Sequence, residues 1–351
     1  MVRNYLRILM AAVALLAGAA CGGDGGSPQA ANKGEVPDGG VLRLGYFPNL
    51  THATALFGVE KGIFAESLKP TRFETRTFNA GPEAIEALFG GALDAAYVGP
   101  SPAINAYAKS DGKAIRIIAG ATSGGALLVT RSSITSPAQL KGRKVASPQL
   151  GGTQDVALRS WLKSKGLSTT TSGGGDVSIV PQANADTLTA FRSGTIDGAW
   201  VPEPWATRLV SEGGGRVLVD EADLWPGRRF VTTHLIVRTE YLAKHPDAVR
   251  RLLNAHVEAT ILVSGQRANA QAAANERITR ITGKGLAPEI LAAAWKNLEF
   301  TWDPIASSLR KSAADAQAVG LLEKVELAGI YDLKLLNLVL AGAGKPPVKG
   351  E

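Results

Sequence analysis

Five short stretches of this chain join hydrogen-bonding side chains to the glycines and prolines that open helices. Their chemistry is that of a site for a small solute. In the first, Asn49-Leu50-Thr51-His52, Asn49 and Thr51 can donate hydrogen bonds, and His52 can donate whether neutral or charged. A competing reading has Asn49 and Thr51 merely capping a helix. In the second, Asn79-Ala80-Gly81, Gly81 permits close backbone approach and Asn79 either contacts a ligand or caps. The third, Gly99-Pro100-Ser101-Pro102, leaves the Ser101 hydroxyl and amide at a helix start, where Pro102 donates nothing. The fourth, Gly151-Gly152-Thr153, opens a helix without the lysine of a nucleotide-binding loop. Gly152 and Thr153 there suit a sulfonate, a carboxylate or another small anion, or form a plain capped turn. The fifth, Val201-Pro202-Glu203-Pro204-Trp205, offers an indole and a carboxylate. Glu203 either faces a ligand, favouring one with an amine, or serves as a charge at a helix start. Asn184, together with Thr122, Ser123 and Thr232 at the chain crossings, completes the candidate ligand contacts.

Composition removes several other chemistries. The only cysteine is Cys21, so no intramolecular disulfide forms and the body has no thiol nucleophile. The histidines, His52, His234, His245 and His256, form no HExxH pattern or close Cys/His cluster, and no metal site is expected. Trp200 aligns with Tyr97 inside a strand and reads as core. The formal charge of +7 is modest, with no basic run interleaved with aromatics, which argues against nucleic-acid binding. No catalytic residue and no cofactor are expected.

The elements that must hold these stretches are announced by a passage written twice. Phe78 to Ala103 and Pro181 to Ala206 follow the same order at a constant offset of 103 residues. Each has a turn, a helical stretch, Gly-x-Leu/Ile-Asp, an apolar strand and a Pro-rich turn into another helix. The copies agree at Gly91/Gly194 and Asp94/Asp197 and diverge at the last turn. Strands are predicted at 41–46, 71–78, 95–98, 115–121, 126–130, 144–147, 177–181, 217–220 and 230–238. Helices are predicted between them and at 247–263, 288–298, 307–319 and 334–340. Strands alternating with helices indicate parallel α/β sheets. The expected fold is α/β: two doubly wound lobes around a central cleft. Residues 40–122 plus 231–351 make lobe 1, with the late helices packed on it, and residues 123–230 make lobe 2. The last residues are expected to fray. In such lobes ligands meet the carboxyl ends of strands and the N-termini of the following helices, which is where the five stretches fall.

The N-terminus reads as a targeting segment. Arg3 and Arg7 precede an apolar run, Ile8 to Leu16, too short to span a bilayer. Small residues then lead to Cys21. Residues 1–20 read as a signal peptide, and 21–39 as a flexible Gly/Ser/Pro/Ala tether.

Read in order, several segments resemble the periplasmic solute-binding proteins of the nitrate/sulfonate/taurine transporter group. They are Arg43 to His52, Val59 to Phe64, Gly91 to Asp94, Gly99 to Pro102, Leu140 to Ala146, Gly194 to Trp200 and Glu203 to Trp205, within residues 40 to 335. The resemblance implies the type II periplasmic-binding-protein fold. It also implies a monomer that captures a small sulfonate-, taurine- or nitrate-like solute and hands it to the permease and ATPase of an ABC importer. Cys21 resembles a lipoprotein lipobox, with Gly18 where Leu or Val is usual. That implies a lipid anchor on Cys21 and an extracytoplasmic place at the cell membrane. A ligand sensor for a membrane receptor is the first alternative. The second is an enzyme on the same fold, although the cysteine nucleophile of the desulfinases and the Cys-rich iron motif of the thiamine-pyrimidine synthases are absent. Menaquinone-pathway dehydratases on this fold are normally cytoplasmic.

Overall fold

The computed structural model describes residues 40–350. The signal, tether and Cys21 readings lie outside the described residues. The strands are β1 (Val41–Tyr46), β2 (Arg72–Thr77), β3 (Ala95–Val98), β4 (Ile115–Gly124), β5 (Ala126–Arg131), β6 (Lys144–Ser147), β7 (Ser178–Pro181), β8 (Gly198–Pro202), β9 (Gly215–Asp220), β10 (Val231–Arg238) and β11 (Leu298–Phe300). The helices begin with α1 (Ala53–Glu60), α2 (Ile63–Leu68), α3 (Gly81–Phe89), α4 (Pro100–Lys109), α5 (Thr153–Ser164), α6 (Asn184–Arg192) and α7 (Trp205–Ser211). After β10 come α8 (Thr239–Lys244), α9 (Pro246–Gly265), α10 (Arg267–Thr282), α11 (Pro288–Trp295), α12 (Ala306–Ala318) and α13 (Lys334–Gly342).

Two sheets result. The first has the order β11-β4-β10-β3-β1-β2 and the second β7-β6-β8-β5-β9. Setting β11 aside, the orders correspond strand for strand: β2-β1-β3-β10-β4 against β7-β6-β8-β5-β9. In each, three parallel strands are followed by an antiparallel strand that has come from the other sheet. Parallel pairing is therefore confined to the three strands at one end of each sheet, β2-β1-β3 and β7-β6-β8. The reason lies in the crossings. β4 turns straight into β5 through Gly124 and Gly125, both in the left-handed region at φ 78° and 73°, a conformation that favours glycine. Such a tight turn leaves no room for a crossover helix, so β5 enters the second sheet antiparallel.

The repeated residues serve this scaffold. Asp94 accepts from the Arg43 backbone N–H at 2.9 Å and from the Arg43 guanidinium at 2.8 and 2.9 Å. Asp197 accepts from the Lys144 N–H at 2.9 Å. In both sheets the aspartate thus fixes the start of the adjacent parallel strand. Gly91 and Gly194 both adopt positive φ at the turn that precedes it. Apolar strand residues such as Leu42, Leu44, Tyr97, Ile118 and Leu235 pack against helices on the first sheet, and Leu128, Val145, Leu158 and Trp200 form a core on the second.

The late helices pack on the first sheet's half: Leu291 and Trp295 of α11 and Leu336 of α13 lie in one of its cores, and Leu309 and Ala313 of α12 in the other. They also reach across, α11 touching α7 and α12 touching α5. One expectation about the C-terminal part is corrected: the last residues do not fray. Asn337 Nδ2 donates to the Val348 carbonyl at 3.0 Å and Oδ1 accepts from the Val348 N–H at 2.9 Å, while Gly350 lies against the Tyr331 ring. Among the described residues no helix is long and apolar enough to cross a membrane.

Candidate ligand-binding cleft

The carboxyl ends of the strands in both sheets face one another, and the helices that follow start there. A cavity between them is lined by Asn49, Thr51, His52, Asn79, Gly81, Gly152, Thr153, Asn184 and Thr232, all expected contacts. It leaves about 30 Å³ to the centres of water-sized solutes, room for a compact group of a few atoms. The starts of α3, α4, α5 and α6 (Gly81, Gly99 before Pro100, Gly152 before Thr153, Asn184) all border it, and no side chain caps any of the four. Uncapped helix starts present the positive end of the helix dipole and free N–H groups, except where proline stands: Pro82 in α3 and Pro100 and Pro102 in α4 have no N–H to give. The capping alternative for Asn49 is not realised either.

Several polar atoms here are buried without a partner in the protein: Thr153 Oγ1, Asn184 Oδ1 and Thr233 Oγ1. Each would cost on the order of 1–3 kcal/mol if it stayed unsatisfied. Turning the Asn184 amide by 180° presents its NH₂ to the same space. His52 is buried, and burial pushes its pKa down to about 3, so the ring is neutral. Its Nδ1 accepts from the Phe47 N–H at 3.4 Å, which places the proton on Nε2. No charged side chain lines this cavity. An anion there is met by dipoles and hydroxyls rather than by a counter-charge.

Other expected residues fall nearby but do different work. Ser101, at the second position of α4, is buried and its Oγ has no partner, yet it is not among the lining residues. Thr122 Oγ1 donates to the Thr51 carbonyl at 2.6 Å, and Ser123 Oγ accepts from the Phe230 N–H at 3.4 Å. Both hydroxyls tie the crossing together and neither lines the cavity. Thr232 does line it, while its hydroxyl donates to the Gly124 carbonyl at 2.5 Å. Glu203 is wholly buried, and its oxygens accept from the Thr207 N–H and hydroxyl at 3.0 and 2.9 Å and from Asn297 Nδ2 at 2.7 Å. Its pKa is raised, burial outweighing those bonds. The carboxylate is therefore a helix-start and cross-cleft group, the second of its two readings, and it does not line the cavity. Trp205 turns its Nε1–H to Asn49 Oδ1 at 2.9 Å across the cleft. With Leu50 N–H donating to the Glu203 carbonyl at 3.0 Å, this joins the two halves on one side of the cavity. Trp200 is core, bonded to Glu221 Oε2 at 2.7 Å.

Sequence reasoning missed Thr233, Gln154 and Phe47 as lining residues. For Gln154 the signal was its place beside Thr153 at a helix start. Thr233 carried no such signal, because strand alternation allows only one of Thr232 and Thr233 to face the cleft. The register of β10 against β4 is irregular on both sides of Thr233, and that irregularity brings both to it.

Residues 37–278 match the model of the NMT1-like family. The chain belongs to that family. A Bacillus subtilis relative, named as a binding protein for aliphatic sulfonates, is 29% identical over 266 residues, covering 74% of each chain. The match to a binding protein of Brucella abortus, 28% identical, covers 60% of this chain and 63% of that one, less than two thirds of the relative's length. The alkanesulfonate-binding protein SsuA from Xanthomonas axonopodis pv. citri, solved bound to MOPS, superposes with a TM-score of 0.70. It covers 84% of this chain and 98% of that one at 20% identity, a likeness of fold. The fold is that of the periplasmic binding proteins, and these named relatives are binding proteins, not enzymes.

Proposed function

We propose that this chain is the extracytoplasmic solute-binding component of an ABC importer, and that its cleft captures a small oxyanion. The observation that carries the oxyanion is the convergence of four uncapped helix starts on a cavity with unpartnered hydroxyl and amide groups and no charged side chain. Helix starts bind anions through free N–H groups and the dipole, and the hydroxyls of Thr153 and Thr233 add donors. Lobe 1 is residues 40–122 plus 231–351 and lobe 2 is residues 123–230. The lobes close on the anion, and the permease with its ATPase reads the closed form. The chain acts as a monomer, held at the membrane by a lipid on Cys21 after removal of residues 1–20, with 21–39 as tether. Sulfonates lead the candidates, since two of the named relatives are sulfonate binders, with nitrate behind. Taurine is disfavoured by the engagement of Glu203.

The test is a thermal-shift screen of sulfonates, carboxylates, nitrate, bicarbonate and pyrimidines, followed by calorimetry. An oxyanion should bind, and Thr153→Val, which keeps the shape but removes the hydroxyl, should weaken it about tenfold or more, as for a hydrogen bond to a charged group. Preference for an uncharged pyrimidine, or indifference to Thr153→Val, would refute the proposal.

A further inference from the structure

A wholly buried ion pair sits on the helix that brings Thr153 to the cavity. Asp155 stands in the first turn of α5 and Arg159 one turn further on, with Arg159 Nε donating to Asp155 Oδ2 at 3.0 Å. The rest of the carboxylate goes to the loop before the helix. Its Oδ1 accepts from the Ser147 hydroxyl at 2.7 Å, and its Oδ2 also accepts from the Gly151 N–H at 3.0 Å. Ser147 ends β6, and Gly151 turns the chain at φ 73°. Pro148 within this loop lines the cavity, as do Gly152, Thr153 and Gln154 just after Gly151. Asp155 therefore ties both ends of the loop that delivers the start of α5.

Its charge runs against the chemistry of the site. Of the four helices that open on the cavity, α4 has no acidic residue in its first turn. Glu83 of α3 and Asp186 of α6 are exposed, where water and salt screen them. Asp155 is sealed from water on the same turn as Thr153, and the Gly151 that donates to it adjoins Gly152. An unpaired carboxylate there would oppose a bound anion through a medium that screens poorly. The Arg159 guanidinium supplies the compensating charge. Its Nη1 donates to the Thr170 carbonyl at 2.5 Å, while its Nη2 has no partner in the protein. An arginine kept buried with one nitrogen idle is explained by its charge rather than by its hydrogen bonds.

Resting on the oxyanion reading above, we infer that Asp155 and Arg159 are positioning residues for the anion: Asp155 fixes the Ser147–Gly152 loop at the start of α5, and Arg159 cancels the charge that this fixing introduces. Neither lines the cavity. The geometry of the loop depends on the acceptor atoms of residue 155, and the field at the helix start depends on the balance of the two charges. The two dependences can be separated. Asparagine at 155 keeps an oxygen for the Gly151 N–H and sets its NH₂ against Ser147 Oγ, but carries no charge.

Calorimetry at pH 8 on the full chain with ethanesulfonate, benzenesulfonate, benzoate and nitrate decides the matter, with melting temperatures measured beside it. The variants are Arg159→Met, Asp155→Asn, Asp155→Ala and the double variant Asp155→Asn/Arg159→Met. Arg159→Met should bind the anions about tenfold or more weakly than the natural protein, since it leaves a buried carboxylate facing them. The double variant, neutral again, should return to within about threefold of the natural affinity. Asp155→Asn should bind at least as tightly as the natural protein, although it too leaves a buried charge unpaired and melts lower. Asp155→Ala, which frees the loop, should bind about tenfold or more weakly than Asp155→Asn. A pair that only stabilised the fold would lower affinity in step with melting temperature. If Arg159→Met fails to fold, the contrast between Asp155→Asn and Asp155→Ala still decides. Asp155→Asn binding no better than Asp155→Ala, or a double variant no better than Arg159→Met, would overturn this inference alone. Binding of none of the four anions by the natural protein would overturn it together with the oxyanion reading.

Discussion

Gly99→Ala is the sharpest probe of cleft closure. Gly99 precedes α4 with φ −72° and ψ 167°, which any residue adopts, so alanine adds no backbone strain. The added Cβ would overlap Thr153 Oγ1, stand 3.1 Å from Thr153 Cβ and lie 3.4 Å from the Thr232 carbonyl. Thr153 opens α5 on the opposite side of the cleft, so the clash exists only when the two helix starts are together. Rotating the Thr153 hydroxyl relieves the worst overlap but leaves the Cβ contact tight and moves the hydroxyl from its present place. Overpacking of this kind costs about 1–3 kcal/mol, which translates to roughly a 5- to 150-fold loss of affinity if binding requires closure. Calorimetry with the best acid, paired with small-angle scattering, reads both effects. The expected result is weakened binding, a melting temperature close to the natural value and a more extended particle in the presence of ligand. Affinity within twofold of the natural protein would refute the claim that these two helix starts meet around the ligand.

Three further outcomes follow from the same structure. Glu221 is buried, and burial raises its pKa to about 7, against the indole N–H groups of Trp200 and Trp225 that lower it. The unfolded chain ionises near 4.5 while the folded chain keeps the proton, so stability is lost as pH rises from about 4.5 to 7; Glu221→Gln should therefore raise the melting temperature at pH 8 and change it little at pH 4.5. His52, His234 and His256 have the opposite sense: burial holds them neutral at about 3, 4 and 4, so each should cost stability as pH falls below 6.5, and changing His256 to Gln should reduce the acid sensitivity seen by denaturant titration. Asp94→Ala should destabilise by about 2–3 kcal/mol in urea, since the buried carboxylate accepts from both the Arg43 N–H and its guanidinium, whereas Asp197→Ala, on a more exposed carboxylate, should cost about 1 kcal/mol.

Much of this architecture is legible in the chain because it is local. Apolar runs, helix-opening prolines and the Gly-x-Leu/Ile-Asp repeat each act within a few residues, and the two copies of the repeat lead to two sheets of matching order. The cleft loops are legible for the same reason: the rule that ligands meet strand ends and helix starts needs only the order of elements. What was not legible depends on distant partners. Glu203 meets Asn297, and nothing near Glu203 announces an amide so far along the chain. The antiparallel crossing strands follow from where β4 and β10 lead, which periodicity does not encode. Helix α10 is rich in alanine, arginine and asparagine with little contrast between its faces, so no clear stripe marks it. A space lined by Trp205 and Arg208 of α7 and by Lys284 and Leu286 of the α10–α11 turn escaped notice because those segments meet only in the folded protein.

Anomalous diffraction from a crystal grown with the best sulfonate locates the acid group by its sulfur. The chain contains few other sulfur atoms, Cys21, Met1 and Met10, all at the N-terminus. The predicted peak lies in the inner cavity, within hydrogen-bond reach of the Thr153 and Asn184 N–H groups and the Thr233 hydroxyl. A sulfur peak outside that cavity would contradict the assignment of the anion to these helix starts.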